Sequence, residues 1–370
     1  VLSKKSVLFV LCLSLLLLAC ATTAAYLSVR YYILDAKDPT TTEAIVFDTE
    51  LSKSIQGIAR NLEQQGIIRS NISLRTLARL QSKDTQIKAG EYELSASMTP
   101  QQILDKMVRG EMLQRRATIK EGMTLKEIGA ALEQAGIVDA QAFLTATRNQ
   151  EILTQEGIAA QSCEGYLFPE TYNFRRKTPA RTIIQTMHQE LNSRWQPEWT
   201  QRLQILGMTQ HQLLTLASIV EKESGNFDEQ PVIASVFHNR LRQKMRLQAD
   251  PTVIYGIESF DGNITKRDLL TETPYNTYVI DGLPPGPIAN PGLSAIKAAL
   301  YPTDTNFLYF VGNGAGRHVF SENLYQHNEA VNRYQRGGAR RAVQEDAVPP
   351  SATTVVAPPS EPSQVEAQTK

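Results

Sequence analysis

The chain of 370 residues is poor in the residues that advertise metal or redox chemistry: it holds three cysteines and five histidines. Three cysteines do not make a disulfide framework. Cys12 and Cys20 lie in an N-terminal apolar run, which leaves Cys163, read as a buried, inert thiol rather than a nucleophile. The histidines, His318 and His327 among them, show no ligand-like clustering, so no metal and no other cofactor is expected. Net charge is also missing. Acidic and basic side chains balance at 38 each, which removes the bulk electrostatic argument for nucleic acid as a partner. The length suits about two folded domains.

What is present begins with an apolar N-terminus. Lys4 and Lys5 precede an uncharged run from Ser6 to Val29, closed by Arg30-Tyr31-Tyr32. About 20 apolar residues in a helix span the hydrocarbon of a bilayer. The lysines favour a cytoplasmic N-terminus and the tyrosines suit the far interface. The expectation is a cytoplasmic stub (1–6), a single inner-membrane anchor (7–29), a linker (30–43), and the rest on the periplasmic side. A cleaved signal peptide ending among Ala19 to Ala25, or a lipoprotein signal at Cys20, are the rivals.

A repeat follows. Residues 54–68 align with 124–138, each opening on Ser or Thr as a helix N-cap, each amphipathic, each ending at a Gly. Ala89 to Leu94 reads as a short strand after a turn. Met98-Thr99-Pro100 opens another helix with Ile103, Leu104 and Met107 inward. The expected class is α+β, with a LysM-like small domain (44–138) and a mixed α+β catalytic domain (139–336). A generic packing domain is the alternative for the first. Pro179 to Arg202 and Pro231 to Met245 look helical. Pro251 to Gly256 and Tyr275 to Tyr278 are read among turns and strands. Leu308 to Val311 should pair with Val319-Phe320. Beyond Gly337 the Ala, Pro, Ser and Thr content cannot bury a core, so 337–370 is read as a disordered tail.

The chemistry concentrates in Ala217-Ser218-Ile219-Val220-Glu221-Lys222-Glu223-Ser224, two glutamates at the end of an apolar helix. Thr209 and Gln212 have capping-box spacing and fix its start. A carboxyl sunk in apolar surroundings holds its proton to higher pH, which a general acid on a glycosidic oxygen requires. At 100° per residue Glu221 and Glu223 fall on opposite edges of the buried face, with Ser218 and Lys222 turned away. They therefore do not flank one bond, and spacing does not choose between them.

A resemblance does. Ser218 to Glu223, Val236-Phe237-His238-Asn239-Arg240-Leu241, Met245 to Gly256, Tyr275-Asn276-Thr277-Tyr278, Gly282 to Ile288 and Glu164 to Tyr172 occur in an order that resembles the endolytic murein transglycosylase, or YceG-like, family. The resemblance runs from about Phe47 to Tyr334, with Ala249 and Pro287 at positions of some variation. It implies membrane-anchored cleavage of nascent peptidoglycan glycan strands, a part in ending strand elongation, and association with peptidoglycan synthases. Its catalytic glutamate maps onto Glu223, which leaves Glu221 supporting. Gln248, Asp250, Thr252, Tyr255, Tyr275, Asn276 and Tyr278 are the substrate-binding candidates, since amides, hydroxyls and ring faces suit sugars. Asp250 could also orient Glu223. A hydrolytic muramidase and a non-catalytic peptidoglycan-binding scaffold are the competing readings. Pyridoxal phosphate chemistry would need a Schiff-base lysine and a phosphate cup, and neither is seen.

Overall fold

The structure, a computed structural model, describes residues 4–52 and 54–336. The stretch read as a disordered tail lies outside them. Helix α1 (Lys4–Val29) holds 26 residues. Residues 11–34 form a helical stretch with mean hydropathy 1.9, none of it buried. Leu13 and Leu15 to Leu18 project into the open. Such a helix is long and apolar enough to cross a membrane, and it fits an anchor or a signal sequence.

The segment read as a linker is tied down. After α1 the backbone makes one wide turn, Arg30–Leu34. The Arg69 guanidinium lies 4.1 Å from the Tyr31 ring centroid. It donates to the carbonyls of Tyr31 (3.0 Å) and Lys37 (2.8 Å). Lys37 donates in turn to the Gly66 carbonyl at 2.8 Å, Ala36 is buried, and Ile33 packs on the first core.

That core belongs to a strand–helix–helix–strand unit. Strand β1 (Ala44–Asp48) leads to α2 (Ile55–Gln64), α3 (Asn71–Leu80) and β2 (Glu91–Ser95). The strands pair antiparallel with Phe47 opposite Tyr92. Helix α4 (Pro100–Arg109) completes it, capped by Thr99 with Pro at its first turn. Ile103, Leu104 and Met107 are fully buried there with Phe47, Leu62 and Tyr92. Burying each side chain of this kind contributes roughly 1.5–3 kcal/mol.

A second and larger core starts at Ala117. It gathers β3 (Arg115–Thr118), α5 (Leu125–Gln134), α6 (Ala140–Ala146), α7 (Gln150–Gln155) and β4 (Thr171–Phe174), which pairs antiparallel with β3. The repeat is real at its ends: Ser54 and Thr124 cap α2 and α5, and Gly66 and Gly136 are left-handed (φ 75° and 68°). The two copies nevertheless serve different cores. Packing changes over between Met112, which lies on the first core, and Ala117, which opens the second.

The helical stretch expected at 179–202 is broken at Pro197 into α8 (Ala180–Arg194) and α9 (Pro197–Leu206). Helix α10 (Gln210–Glu223) follows, opened by the expected capping box on Thr209 and Gln212. It packs against α9, α11 (Gln230–Arg242), α12 (Asp250–Tyr255) and α14 (Leu293–Leu300). Helix α12 corrects the expectation of turn and strand. Its β-branched run Thr252-Val253-Ile254 reads as extended, but Pro251 sits in the first turn, where a missing N–H does no harm. The short α13 (Lys266–Leu270) precedes α14. Strands β5 (Tyr309–Gly312) and β6 (His318–Ser321) form the expected hairpin, and α15 (Leu324–Val331) follows it. The architecture is mixed α+β with one apolar N-terminal helix.

Candidate active site

Helix α10 places the two glutamates. Every residue from Leu213 to Val220 is buried, so the helix is fixed on all sides until its last turn. Ser218, expected to face outward, is buried and accepts the Ile288 N–H at 3.0 Å. It thereby pins the Pro/Gly loop to the helix. The last turn then sends the glutamates apart, as the helical period requires. Glu221 accepts the Gly292 N–H at 3.0 Å, at the start of α14. Burial raises its carboxyl, the Gly292 N–H opposes that, and Glu121 adds to it.

Glu223 faces the other way, into a cavity of about 410 Å³. The side chain is half-buried by its exposed surface, yet its carboxyl sits deep in the concavity. Burial pushes it up to about 8, the Asp250 carboxylate adds to the rise, and the Arg240 guanidinium opposes it. No hydrogen bond reaches the Glu223 carboxyl among the described residues.

Arg240 is itself buried. Its guanidinium donates to the carbonyls of Leu308 and Leu247, both at 2.7 Å. It joins the hairpin wall and the 247–250 loop behind Glu223. In that loop Gln248 is left-handed (φ 47°), a conformation disfavoured for a residue with a Cβ. Its N–H donates to the Thr277 carbonyl (3.1 Å), and the Ala249 N–H to the Thr277 hydroxyl (2.9 Å). This lacing carries Asp250 to Tyr278, whose hydroxyl donates to the carboxylate at 2.5 Å.

The seven sugar-binding candidates thus fall into three places. Gln248, Asp250 and Tyr278 line the cavity with Glu223. Thr252 and Asn276 are fully buried. Thr252 bonds Thr277 (2.8 Å) and the Ala249 carbonyl (2.6 Å). Asn276 donates to the Thr271 carbonyl at 2.7 Å and closes the end of α13. Tyr255 and Tyr275 lie with ring centroids 4.8 Å apart, and Tyr255 donates to Glu164 at 3.1 Å.

Sequence reasoning missed the wall opposite α12. Tyr309, Phe310 and His318 of the hairpin, and Leu324, His327 and Val331 of α15, all line the cavity. The last three recur at helical spacing on one face of α15, a signal that was present but carried no catalytic residue type beyond one histidine. A larger cavity, about 500 Å³, lies at the seam of the two cores. Its charges neutralise one another: Arg176 pairs with Asp48 (3.2 Å) and Glu91 (3.0 Å), and Lys177 with Glu50. The smaller of these two cavities is lined by an acid with no hydrogen-bond partner among the described residues, which makes it the candidate site.

The fold is mixed α+β, and among its raised carboxyls Glu223 is the one that lines this cleft. The chain belongs to the YceG-like family, whose model matches residues 48–333. It is similar to a Bacillus subtilis (strain 168) protein named endolytic murein transglycosylase, 33% identical over 297 residues, 76% of this chain and 82% of that one. A Streptococcus pneumoniae serotype 2 (strain D39) protein of the same name is 28% identical over 352 residues, and the match spans 86% of this chain but 63% of the pneumococcal one. A crystal structure of a yceG-like protein from Listeria monocytogenes superposes with TM-score 0.54 at 34% identity, covering 78% of this chain and 99% of the other.

Proposed function

We propose that this chain is an endolytic peptidoglycan lytic transglycosylase in which Glu223 serves as both acid and base. The observation that carries the reading is the Glu223 carboxyl, which lines an open cleft and is raised to about 8 by burial. The name shared by the Bacillus and pneumococcal relatives supplies the substrate class. The protonated acid donates to the oxygen joining N-acetylmuramic acid to N-acetylglucosamine. The C1–O bond breaks and its electron pair leaves with that oxygen. The muramic C6 hydroxyl oxygen closes on C1, and its proton passes to the Glu223 carboxylate. The acid is restored, no water is consumed, and the new end is a 1,6-anhydro sugar. One residue suffices because acid and base duties fall in sequence, each needing a pKa near working pH.

A second reading, hydrolysis, is favoured by Asp250, since a second carboxylate in the cleft is what water activation uses. The products separate the two: the anhydro end is one water lighter than the reducing end. Incubating the protein and its Glu223→Gln variant with polymerised glycan strands and weighing the products tests both. Reducing ends from the wild type would favour hydrolysis, and equal cleavage by the variant would remove Glu223 from either mechanism. Cleavage lost in the variant with strand binding retained sinks the scaffold reading.

The remaining assignments rest on the same footing. The strand–helix–helix–strand order of residues 44–95 supports a LysM-like unit. The exposed apolar α1 supports an inner-membrane anchor with the cleft on the periplasmic side. Family resemblance supports a role in ending strand elongation beside peptidoglycan synthases.

A further inference from the structure

The wall facing Glu223 carries two imidazoles that the chemistry above leaves unused. His327 lies on α15 with its ring stacked on Tyr309, centroids 5.2 Å apart and 27° between planes. Its Nδ1 is buried and meets no hydrogen-bond partner among the described residues. A buried polar atom left unpaired costs about 1–3 kcal/mol, and the ring that carries it lines the cleft. Burial and the nearby Arg240 charge lower the pKa of the ring, and an imidazole in its neutral form offers one donor and one acceptor.

His318 is prepared differently. Its Nδ1 lies 2.8 Å from a Glu229 carboxylate oxygen, and Glu229 also accepts the His318 backbone N–H. A carboxylate against Nδ1 orients the ring and turns Nε2 away from Glu229. Phe310 and Phe320 flank the ring and restrict its rotation. Glu229 stands in the turn that follows Glu223, so the same pair ties the hairpin to the acid's own loop. Both histidines line the cavity that holds Glu223.

We infer that His327 and His318 are substrate-binding residues, a sugar subsite that hydrogen-bonds hydroxyl and acetamido groups and holds the glycan strand across Glu223. The inference rests on the proposed function and adds the residues that bind its substrate. A ring stacked on Tyr309 and a ring braced by Glu229 are set before the strand arrives, so little ordering is left to oppose binding.

The test uses the full chain. Affinity for uncut glycan strands is measured by calorimetry in the Glu223→Gln background, beside KM and kcat in the active protein. His327→Phe preserves the stack on Tyr309 and removes both ring nitrogens; His318→Ala removes the braced ring. Each is expected to weaken strand binding and raise KM roughly tenfold with kcat within about threefold, at unchanged melting temperature. A drop in kcat with affinity intact, or no change in either variant, overturns the inference. Should His318→Ala fail to fold, His318→Asn is read in its place by the same criteria. Wild-type protein that cuts no strand would instead overturn the proposed function, a result the affinity measurement does not share.

Discussion

Two carboxyls are sunk in the larger core region, and their surroundings treat them oppositely. Glu164 is buried and almost fully bonded. It accepts the Leu125 N–H at 3.1 Å, the Asn290 amide at 2.9 Å and the Tyr255 hydroxyl at 3.1 Å. The Asn290 carbonyl oxygen in turn accepts the N–H groups of Gly165 and Leu167, both at 3.0 Å. Gly165 is left-handed (φ 84°), and a Cβ there would stand 2.3 Å from Pro287. Glu164 thus brackets the start of α5, the aromatic segment and the 287–290 loop. Burial raises it to about 7, with the Leu125 N–H opposing. Glu223 is raised to about 8 with no hydrogen bond among the described residues. Depth alone therefore does not mark an acid catalyst. What distinguishes Glu223 is a cleft in front of it and no donors around it.

The largest expected effect breaks or confirms that contrast directly. Glu223→Gln should lower strand cleavage by roughly a thousandfold or more while leaving the fold intact, read by product chromatography and circular dichroism. Glu164→Ala should do the reverse. It strands three buried donors and should cost about 2–4 kcal/mol in urea unfolding, with residual activity tracking the folded fraction. Lost cleavage at unchanged stability would mean that Glu164 belongs to the chemistry.

Next comes pH. Cleavage that needs protonated Glu223 should fall as pH rises through about 8. Asp250→Asn removes a neighbouring negative charge, so that alkaline limb should move to lower pH, by roughly one unit or less. A limb that does not move would dissociate Asp250 from the acid. Stability follows the same sign. A carboxyl raised on folding stabilises fully below its ordinary value of 4.5, and that contribution is lost as pH rises through the folded value. Wild-type melting temperature should therefore decline between about pH 4.5 and 7 on account of Glu164, and Glu164→Gln should flatten that decline. The smallest effect is Glu221→Gln. Its Gly292 partner can be kept by an amide oxygen, so cleavage should stay within about threefold, near 0.6 kcal/mol in barrier.

Much of this was legible beforehand where the physics is local. The caps at Ser54, Thr99, Thr124 and Thr209, the 309–321 hairpin, and the divergence of Glu221 from Glu223 all follow from spacing within one element. The misses are non-local. Ser218 was placed outward because the wheel knows one helix, while the loop that buries it arrives 70 residues later. Pro251 to Gly256 was read among turns and strands, and burial of Thr252 and Val253 against other elements decides for a helix over Asp250–Tyr255. Tyr309, His318 and His327 reach Glu223 only through the tertiary fold. Nothing in their sequence neighbourhood says which cleft they line. Choosing Glu223 over Glu221 required the family resemblance, and the cleft gives an independent physical reason for it.

The Arg69 grip on Tyr31 and Lys37 has a mechanical meaning. A float on a slack tether wanders whichever way its mooring leans. Here the mooring is gripped, and the seam of Arg176 with Asp48 and Glu91 grips the next body in line. Hydrogen bonds and ion pairs thus run from the end of α1 through the first core to the second.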